Sequence, residues 1–523
     1  MAVRAILIKP PKRGSHPRSV AVSFEPLGLL YLSAFVKKFS PHHVEVIDAQ
    51  AEGAVVAELG PHDFRMGMAD DALRERIRAA RPDVVGISAL FEMQEPEVIA
   101  VARLVKDVVP MARVVVGGLD AGIRHATYLA SDAVDLVVRG EGEETFLDVL
   151  DHVDQGKPLV GIPGTCSRGP GGEARMNPPR VARVPFDEYP YPDRDALPRA
   201  AYDGRRAQSV AFPFARERPA MLIQASRGCR LRCAFCDIVA VHDQLVAHSP
   251  EYVVGEIRHM VERHGAREIV FVDDNFMLDQ RWARRVFELV AESGLDVTLD
   301  VMAGVSVWTL SKSMIDTMVR AGVYRVCLPI ESGNPETIAF IKKPVNLAKT
   351  VEMIDYCNRR GLYTFANLIV GFPYETRDDI RRTIDWGNAS GLDAVHYFIA
   401  TPLPGSRMYP IYEQQGWIEH GDRGAVTWRT AHFTREELET LAQDASRAQL
   451  LRRARFLARP RNAARYLWPK VSSPRRLRYA LRLAAQAVAS AVAAWRGAPG
   501  ALPSATSRDD RVRARDATSA RAA

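Results

Sequence analysis

Apolar residues follow two rhythms along this chain, and each predicts an element. Over the first 150 residues, short aliphatic runs alternate with longer mixed stretches. The runs are A-I-L-I at 5–8, V-E-V-I-D at 44–48, D-V-V-G-I-S at 83–88, R-V-V-V-G-G at 113–118 and D-L-V-V-R-G at 135–140. Their length and near-continuous hydrophobicity predict buried parallel strands. Segments such as 29–39 and 96–108 read as helices between them. Five strands joined by right-handed crossovers make an α/β sheet of the doubly wound, Rossmann-like kind. Ligands on such sheets sit beyond the C-terminal strand ends, where Ser88, Gly117, Gly118 and the run Gly140-Glu141-Gly142-Glu143 fall. Glycine at a strand end lets a bulky ligand approach the backbone, although a plain turn accounts for any one of these alone. Neither G-x-G-x-x-G nor a Walker sequence is present, which argues against a dinucleotide or a triphosphate.

The alternation pauses over 151–212, where Pro and Gly gather in G-I-P-G-T, R-G-P-G-G and Y-P-Y-P-D-R, and a linker or crossing segment is expected. It resumes with M-L-I-Q-A-S at 221–226. Further strands are expected in E-I-V-F-V-D-D-N-F (268–276), V-T-L-D-V-M-A (297–303), R-V-C-L-P-I-E-S-G (325–333), T-F-A-N-L-I-V-G-F-P (364–373) and A-V-H-Y-F-I-A-T-P (394–402). Six strands of this kind suit a partial (β/α)6 barrel with its site at the C-terminal strand ends. Residues 434–458 read as a helix with an acidic start and a basic finish, in agreement with the helix dipole. Residues 474–497 read as a basic amphipathic helix with Leu477, Leu481, Ala484, Val488, Val492 and Trp495 on one face and Arg478 and Arg482 beside it. Such a helix either lies on an anionic membrane surface or docks on the body of the protein. The Ser, Asp, Arg and Ala content from 498 onward predicts disorder. The expected organisation is an α/β domain at 1–150, a linker at 151–212, a barrel at 213–420, a helical extension at 421–470, and an amphipathic helix with a tail at 471–523.

A chain of 523 residues exceeds one ordinary core. At 47% apolar and 25% charged residues it has the composition of a globular enzyme. It begins without a signal-type apolar region and contains no uninterrupted apolar stretch of spanning length. The net charge of +7 hides an asymmetry: from Leu451 onward 17 Arg and Lys face 3 acids, whereas residues 1–450 hold 53 bases and 60 acids. A mildly acidic body with a basic end does not fit a nucleic-acid binder. Of six cysteines, Cys166, Cys327 and Cys357 are far apart and expected to be buried thiols, which points to a reducing cytoplasm.

The other three are Cys229, Cys233 and Cys236, in S-R-G-C-R-L-R-C-A-F-C-D. The C-x3-C-x2-C spacing gathers three thiolates on one loop. Three soft ligands suit an iron–sulfur cluster, which normally takes four, so one iron is left open. A structural zinc site is the alternative, but it is nearly always closed by four protein ligands. His242 and His248 follow without a paired motif.

With Phe235 just before the last cysteine, this loop resembles that of the radical SAM enzymes, in which the open iron of a [4Fe–4S] cluster chelates the amino and carboxylate groups of S-adenosylmethionine (SAM). Later segments line up with the same family in order. The resemblance implies that the backbone at Asp273 and Asp274, with Asn275, receives the SAM ammonium. Glu331 of the segment Glu331-Ser332-Gly333 resembles the acid that holds the ribose hydroxyls, a task suited to a group offering acceptors only. Gly371 and Pro373 in G-F-P-Y-E-T match the element that packs the adenine, and T-P-L-P-G-S (401–406) closes the sixth strand in the family manner. Upstream, P-P (10, 11), E-P-L-G-L-L-Y-L (25–32), V-V-G-G and V-V-R-G-E-G-E-E-T-F (137–146) resemble the cobalamin-binding domain fused ahead of many radical SAM enzymes. That resemblance would assign Ser88, Gly117, Gly118, Gly140 and Glu141 to cobalamin. Members that ligate cobalt from below carry D-x-H-x-x-G after the first strand. Here K-P-P-K-R-G-S-H-P-R-S has His16 but neither the Asp nor the later Gly, so cobalamin without a protein histidine ligand is implied.

The family resemblance implies reductive cleavage of SAM to methionine and a 5′-deoxyadenosyl radical, with electrons from a flavodoxin- or ferredoxin-type donor. It further implies hydrogen abstraction from an unactivated C–H and methylation of a carbon in a secondary-metabolite or lipid-like substrate. Relatives that cyclise, rearrange rings or couple carbons with the same cofactors provide the alternative. A third reading keeps the N-terminal domain for docking only, without a corrinoid. A methylthiotransferase would bring three more cluster cysteines, and residues 1–165 contain none. No acid or base stands out; Tyr324, His396 and Tyr397, near strand ends, read equally well as packing residues.

Overall fold

The computed structural model describes residues 2–14, 24–53, 56–60, 63–198, 202, 215–302, 304–420 and 426–495. The chain divides into two compact units, Met1–Pro213 and Phe214–Ala523.

In the first unit, strands β1 (Arg4–Lys9), β2 (His43–Asp48), β3 (Val84–Ser88), β4 (Arg113–Gly117) and β5 (Leu136–Val138) pair in parallel, in the order β2–β1–β3–β4–β5. Alternation within each strand feeds two cores. Ile6, Ile8, Val85, Ile87, Val114 and Val116 pack against α2 (Asp70–Ala80) and α3 (Glu95–Val108). Leu7, Val84 and Val115 pack against α1 (Leu27–Phe39) and α4 (Glu143–Asp154) on the other side. That two-sided burial is the physical content of the doubly wound sheet. The segment read as a linker does more than connect. Residues β6 (Thr165–Arg168) and β7 (Ala174–Met176) extend the sheet antiparallel beyond β5. A separate antiparallel sheet joins Lys12–Gly14, Asp63–Met66 and Val56–Gly60, none of which has a strong period in sequence. His16 lies outside the described residues.

The second unit is a six-stranded, all-parallel open barrel in chain order: β8 (Ala220–Ile223), β9 (Glu268–Phe271), β10 (Thr298–Val301), β11 (Val323–Glu331), β12 (Tyr363–Val370) and β13 (Ala394–Ile399). Helices α5 (Pro250–His264), α6 (Gln280–Glu292), α7 (Lys312–Arg320), α8 (Pro335–Ile341), α9 (Leu347–Arg359) and α10 (Arg377–Ala389) follow the strands, and α11 (Arg435–Leu457) packs against β13. All seven are entered through a side chain that accepts from the first turn: Ser249, Asp279, Ser311, Asn334, Asn346, Thr376 and Thr434. Such caps fix where each helix starts, and hence how long each strand-end loop is. Cys166, Cys327 and Cys357 are buried free thiols, as expected. Among the described residues no helix is long and apolar enough to cross a membrane.

The N-terminal ends of the barrel strands are closed by a polar network. Arg325 pairs with Asp300, and Tyr324, Arg216 N–H and Glu217 N–H donate to Glu268 at 2.9, 2.7 and 2.8 Å. Tyr479, from α12 (Pro474–Trp495), stacks edge-on against Tyr324 and Tyr363, each at 5.3 Å. Tyr324 therefore lies at the end of the barrel opposite the cysteine loop and is a packing residue. Leu477 and Leu481, on the apolar face of this helix, are exposed; Val488, Val492 and Trp495 have side chains outside the described part.

Burial, with Asp300 nearby, pushes Glu268 up to about 7 against its hydrogen bonds. A carboxyl raised in the folded state contributes stability that is complete below its unfolded value and is lost as pH rises to about 7. The barrel's unfolding free energy is thus expected to fall between about pH 5 and pH 7, by up to about 3 kcal/mol, and Glu268→Gln should flatten that fall in tryptophan-monitored unfolding.

Candidate functional site

The cysteine loop runs between β8 and α5, and its backbone is pinned from three sides. Cys229 N–H donates to the His242 carbonyl at 3.3 Å, Ala234 N–H to the Ile341 carbonyl at 3.1 Å, and Met408 N–H to the Ala234 carbonyl at 2.9 Å. Gly228, just ahead of Cys229, has φ +79 and donates its N–H to Asp274 at 2.8 Å. Cys229 and Cys233 are buried and Cys236 partly so. The thiols act on one another electrostatically; burial raises Cys233 and pushes Cys236 up to about 12. A cationic iron centre is what turns such thiols into thiolates. Among the described residues, no three His, Cys, Asp or Glu side chains are placed to hold a single metal ion.

The acidic run at the end of β9 braces this loop. Asp273 is 1% exposed, and its Oδ1 accepts from Ser226 N–H and Oγ–H at 2.5 and 2.6 Å. Its other oxygen, Oδ2, is buried without a hydrogen-bond partner, and burial pushes the carboxyl up to about 7. An orphaned buried acceptor beside the cysteine loop fits an incoming ammonium group. Asn275 uses its side-chain oxygen to accept from Ser306 at 2.6 Å.

Opposite lies the end of β11. A bulge between Pro329 and Glu331 breaks the register with β12, and Glu331 takes the left-handed φ of +69. This is a costly conformation for a residue with a Cβ, and such strain gathers at functional positions. Lys343 donates to Glu331 Oε1 at 2.6 Å, with both side chains under one-tenth exposed. Burial works against the ammonium, yet Glu331 and Cys233 together raise Lys343 above the ordinary lysine range. Lys343 thus lies electrostatically between the β11 acid and the cysteine loop. Sequence reading missed it; the only signal is a Lys-Lys-Pro step after α8.

Ser332 and Gly333 face α10. The Ser332 hydroxyl meets that of Thr383 at 2.9 Å, and a Cβ on Gly333 would overlap Trp386. They anchor the turn that aims Glu331. Gly371 has φ +82, and its N–H and that of Phe372 donate to Glu375 at 2.8 and 3.1 Å. Thr337 donates to the other Glu375 oxygen at 2.8 Å, so this buried carboxylate, also missed in sequence, shapes the turn before Pro373. Phe235 packs edge-on against Phe372 at 6.2 Å, tying the cysteine loop to that turn. Glu331 and the Gly371 turn therefore share the C-terminal strand ends with Asp273 and the cysteine loop. His396 and Tyr397 stand on β13, His396 beside Phe365 at 5.8 Å.

In the first unit, Ser88 and Gly117 are paired in register, and Ala89 N–H donates to the Gly117 carbonyl at 2.7 Å. Gly118 has φ +119, and a Cβ there would overlap the Ala89 carbonyl. Gly140, at φ +82, has open space where a Cβ would stand, with Glu141 next to it. Gly118 thus lets Ala89 approach, whereas Gly140 stands beside open space, and Leu90, Phe91 and Met93 are exposed just after Ser88. Bare backbone beside an apolar loop fits a broad, flat ligand such as a corrin.

A doubly wound sheet with glycines at its C-terminal strand ends, followed by a partial barrel carrying a three-cysteine loop, defines the class. Residues 18–150 match the B12 binding domain and residues 223–387 the radical SAM superfamily. The chain thus joins a B12 binding domain to a radical SAM domain, and its cofactors are a [4Fe–4S] cluster, SAM and cobalamin. Among similar proteins is an uncharacterized methyltransferase of Pyrococcus horikoshii, 29% identical over 85% of this chain and 91% of its own. The cytidylyl-2-hydroxyethylphosphonate methyltransferase of Streptomyces wedmorensis is 27% identical over 75% and 79%. The anaerobic magnesium-protoporphyrin IX monomethyl ester cyclase of Rubrivivax gelatinosus is 22% identical over 77% and 69%. The solved structure of the radical SAM methyltransferase TsrM from Kitasatospora setae shares the fold, with a TM-score of 0.66 at 18% identity over 82% of this chain and 80% of that one.

Proposed function

We propose that this chain methylates an unactivated carbon of a small secondary-metabolite or lipid-like substrate. The observation that carries the reading is one chain holding both a sheet with glycines at its C-terminal strand ends and a barrel whose strand ends carry the three-cysteine loop, the Glu331–Lys343 pair and the orphaned Asp273 oxygen. When bound, the cofactors supply reductive cleavage of SAM, hydrogen abstraction and methyl transfer. The residues supply position. Cys229, Cys233 and Cys236 hold the cluster with one iron open. Asp273, with the backbone of Asp274 and Asn275, receives the SAM ammonium; Lys343 receives its carboxylate and Glu331 its ribose hydroxyls. Gly371 and Pro373 pack the adenine, Phe235 shields the cluster, and Ser332 and Gly333 hold Glu331 in place. Ser88, Gly117, Gly118, Gly140 and Glu141 would line the cobalamin. A flavodoxin- or ferredoxin-type protein delivers electrons, and the C-terminal helix makes a peripheral membrane contact.

Similarity to the cyclase supports a second reading, in which the same cofactors drive cyclisation, rearrangement or carbon–carbon coupling without methyl transfer. The products separate the two. Anaerobically purified protein, supplied with cobalamin and reconstituted with iron and sulfide, is expected to show a corrinoid spectrum and to release 5′-deoxyadenosine from SAM under dithionite. With substrate, methylation yields S-adenosylhomocysteine as well. Its persistent absence during turnover supports the second reading, and deoxyadenosine without bound corrinoid overturns methyl transfer.

A further inference from the structure

Helix α12 is anchored along one side. Tyr479, 3% exposed, lies between Tyr324 and Tyr363. Arg482 donates to the carbonyls of Ala215 and Arg216, and Arg475 pairs with Glu217 at 2.7 Å and Asp296 at 3.0 Å. Each of these partners precedes or opens a barrel strand, so α12 covers the N-terminal strand ends. The cysteine loop, Glu331 and Gly371 are at the other end.

The outward side of this region is apolar and basic together. Leu477 and Leu481 are 45% and 62% exposed, with Arg478 exposed between them. The segment Trp468–Val471 packs on α12, and Trp468 is 66% exposed. Exposed Arg461 and Arg465 precede it. From 451 to 495 the chain has no acid and 11 Arg and Lys, of which Arg453 and Lys470 are buried against Asp393 and Arg465 pairs with Asp355. Cations alone would suit any polyanion. Leucine and tryptophan held out among them match the layered chemistry of a bilayer surface, with phosphates outside and acyl chains beneath.

We propose that this closed end of the barrel docks on an anionic lipid bilayer, with Leu477, Leu481 and Trp468 entering the interface and the surrounding arginines meeting the headgroups. Because the docking end is the closed end, the membrane-held enzyme presents its site to the aqueous side. A lipid-like substrate would then leave the bilayer to react. The proposal rests on the placement of α12 and is independent of the methyl-transfer reading.

Cosedimentation of the full reconstituted chain tests it, using vesicles of equimolar phosphatidylglycerol and phosphatidylcholine against phosphatidylcholine alone. Binding at least roughly tenfold tighter to the anionic vesicles is expected, with most of it lost in L477E/L481E and in W468A. Those side chains are exposed, so SAM cleavage by the variants should match the wild type and report an intact barrel. The proposal is overturned by equal or absent binding to both vesicles. It is equally overturned if binding yields to salt but is indifferent to the leucine and tryptophan changes, since that behaviour describes a surface for an acidic polymer such as RNA.

Discussion

Lys343→Met is expected to weaken SAM binding by about a hundredfold or more and to destabilise the barrel by about 3–5 kcal/mol. The Lys343–Glu331 pair is buried on both sides, so removing the ammonium leaves a carboxylate with neither water nor a partner. Stability alone would not identify a ligand-binding role, because any broken buried pair costs this much. The double variant K343M/E331L separates the two effects. Replacing both charges with apolar groups of similar volume should restore most of the stability, as buried pairs replaced whole often do. It should not restore SAM binding, which would have lost both polar partners. Denaturant unfolding and equilibrium dialysis with SAM, run on the wild type, K343M, E331L and the double variant, check this. Restored binding in the double variant would reduce the pair to a structural role.

Gly228→Ala should abolish cluster assembly although all three cysteines remain. At φ +79 the backbone is strained for any side chain, and a Cβ there would overlap the Gln244 carbonyl oxygen, which belongs to backbone and cannot swing aside. Relief requires the chain to move at the residue immediately before Cys229, which also carries the N–H bonded to Asp274. Iron content after reconstitution and the visible absorption of the cluster are the measurements. Both should drop to near those of a triple cysteine variant, while circular dichroism stays close to wild type. A G228A protein with a full complement of iron would show that the loop tolerates the shift.

The elements legible in sequence were those whose burial is strong and periodic. The sheet strands of both units fall where their aliphatic runs lie, because a strand buried on both faces has to be apolar throughout. The strands within 165–176 escaped notice since an edge pair of three or four mixed residues carries no period. The cysteine loop and Glu331 were readable through motif order. Lys343 and Glu375 were not, because each matters through a partner brought close only by folding: Glu331 across the barrel end for one, and the backbone of Gly371 and Phe372 for the other. The segment Asp273-Asp274-Asn275 gave a mixed result. Its position was evident, but its side chains tie down Ser226, Gly228 and Ser306, and Asp273 Oδ2 is left buried without a hydrogen bond. In α12 one tyrosine with flanking arginines, rather than the leucines, chose which side faces the barrel, a choice the apolar stripe alone left open.

Tyr479 has a kinetic corollary. With its ring across Tyr324 and Tyr363, it stoppers the N-terminal ends of the strands, while β8 and β13 stay unpaired with each other and leave the barrel open along its side. A substrate seated over the C-terminal strand ends would cover a nucleotide bound beneath it, so release of methionine and spent nucleoside is expected to follow departure of the product.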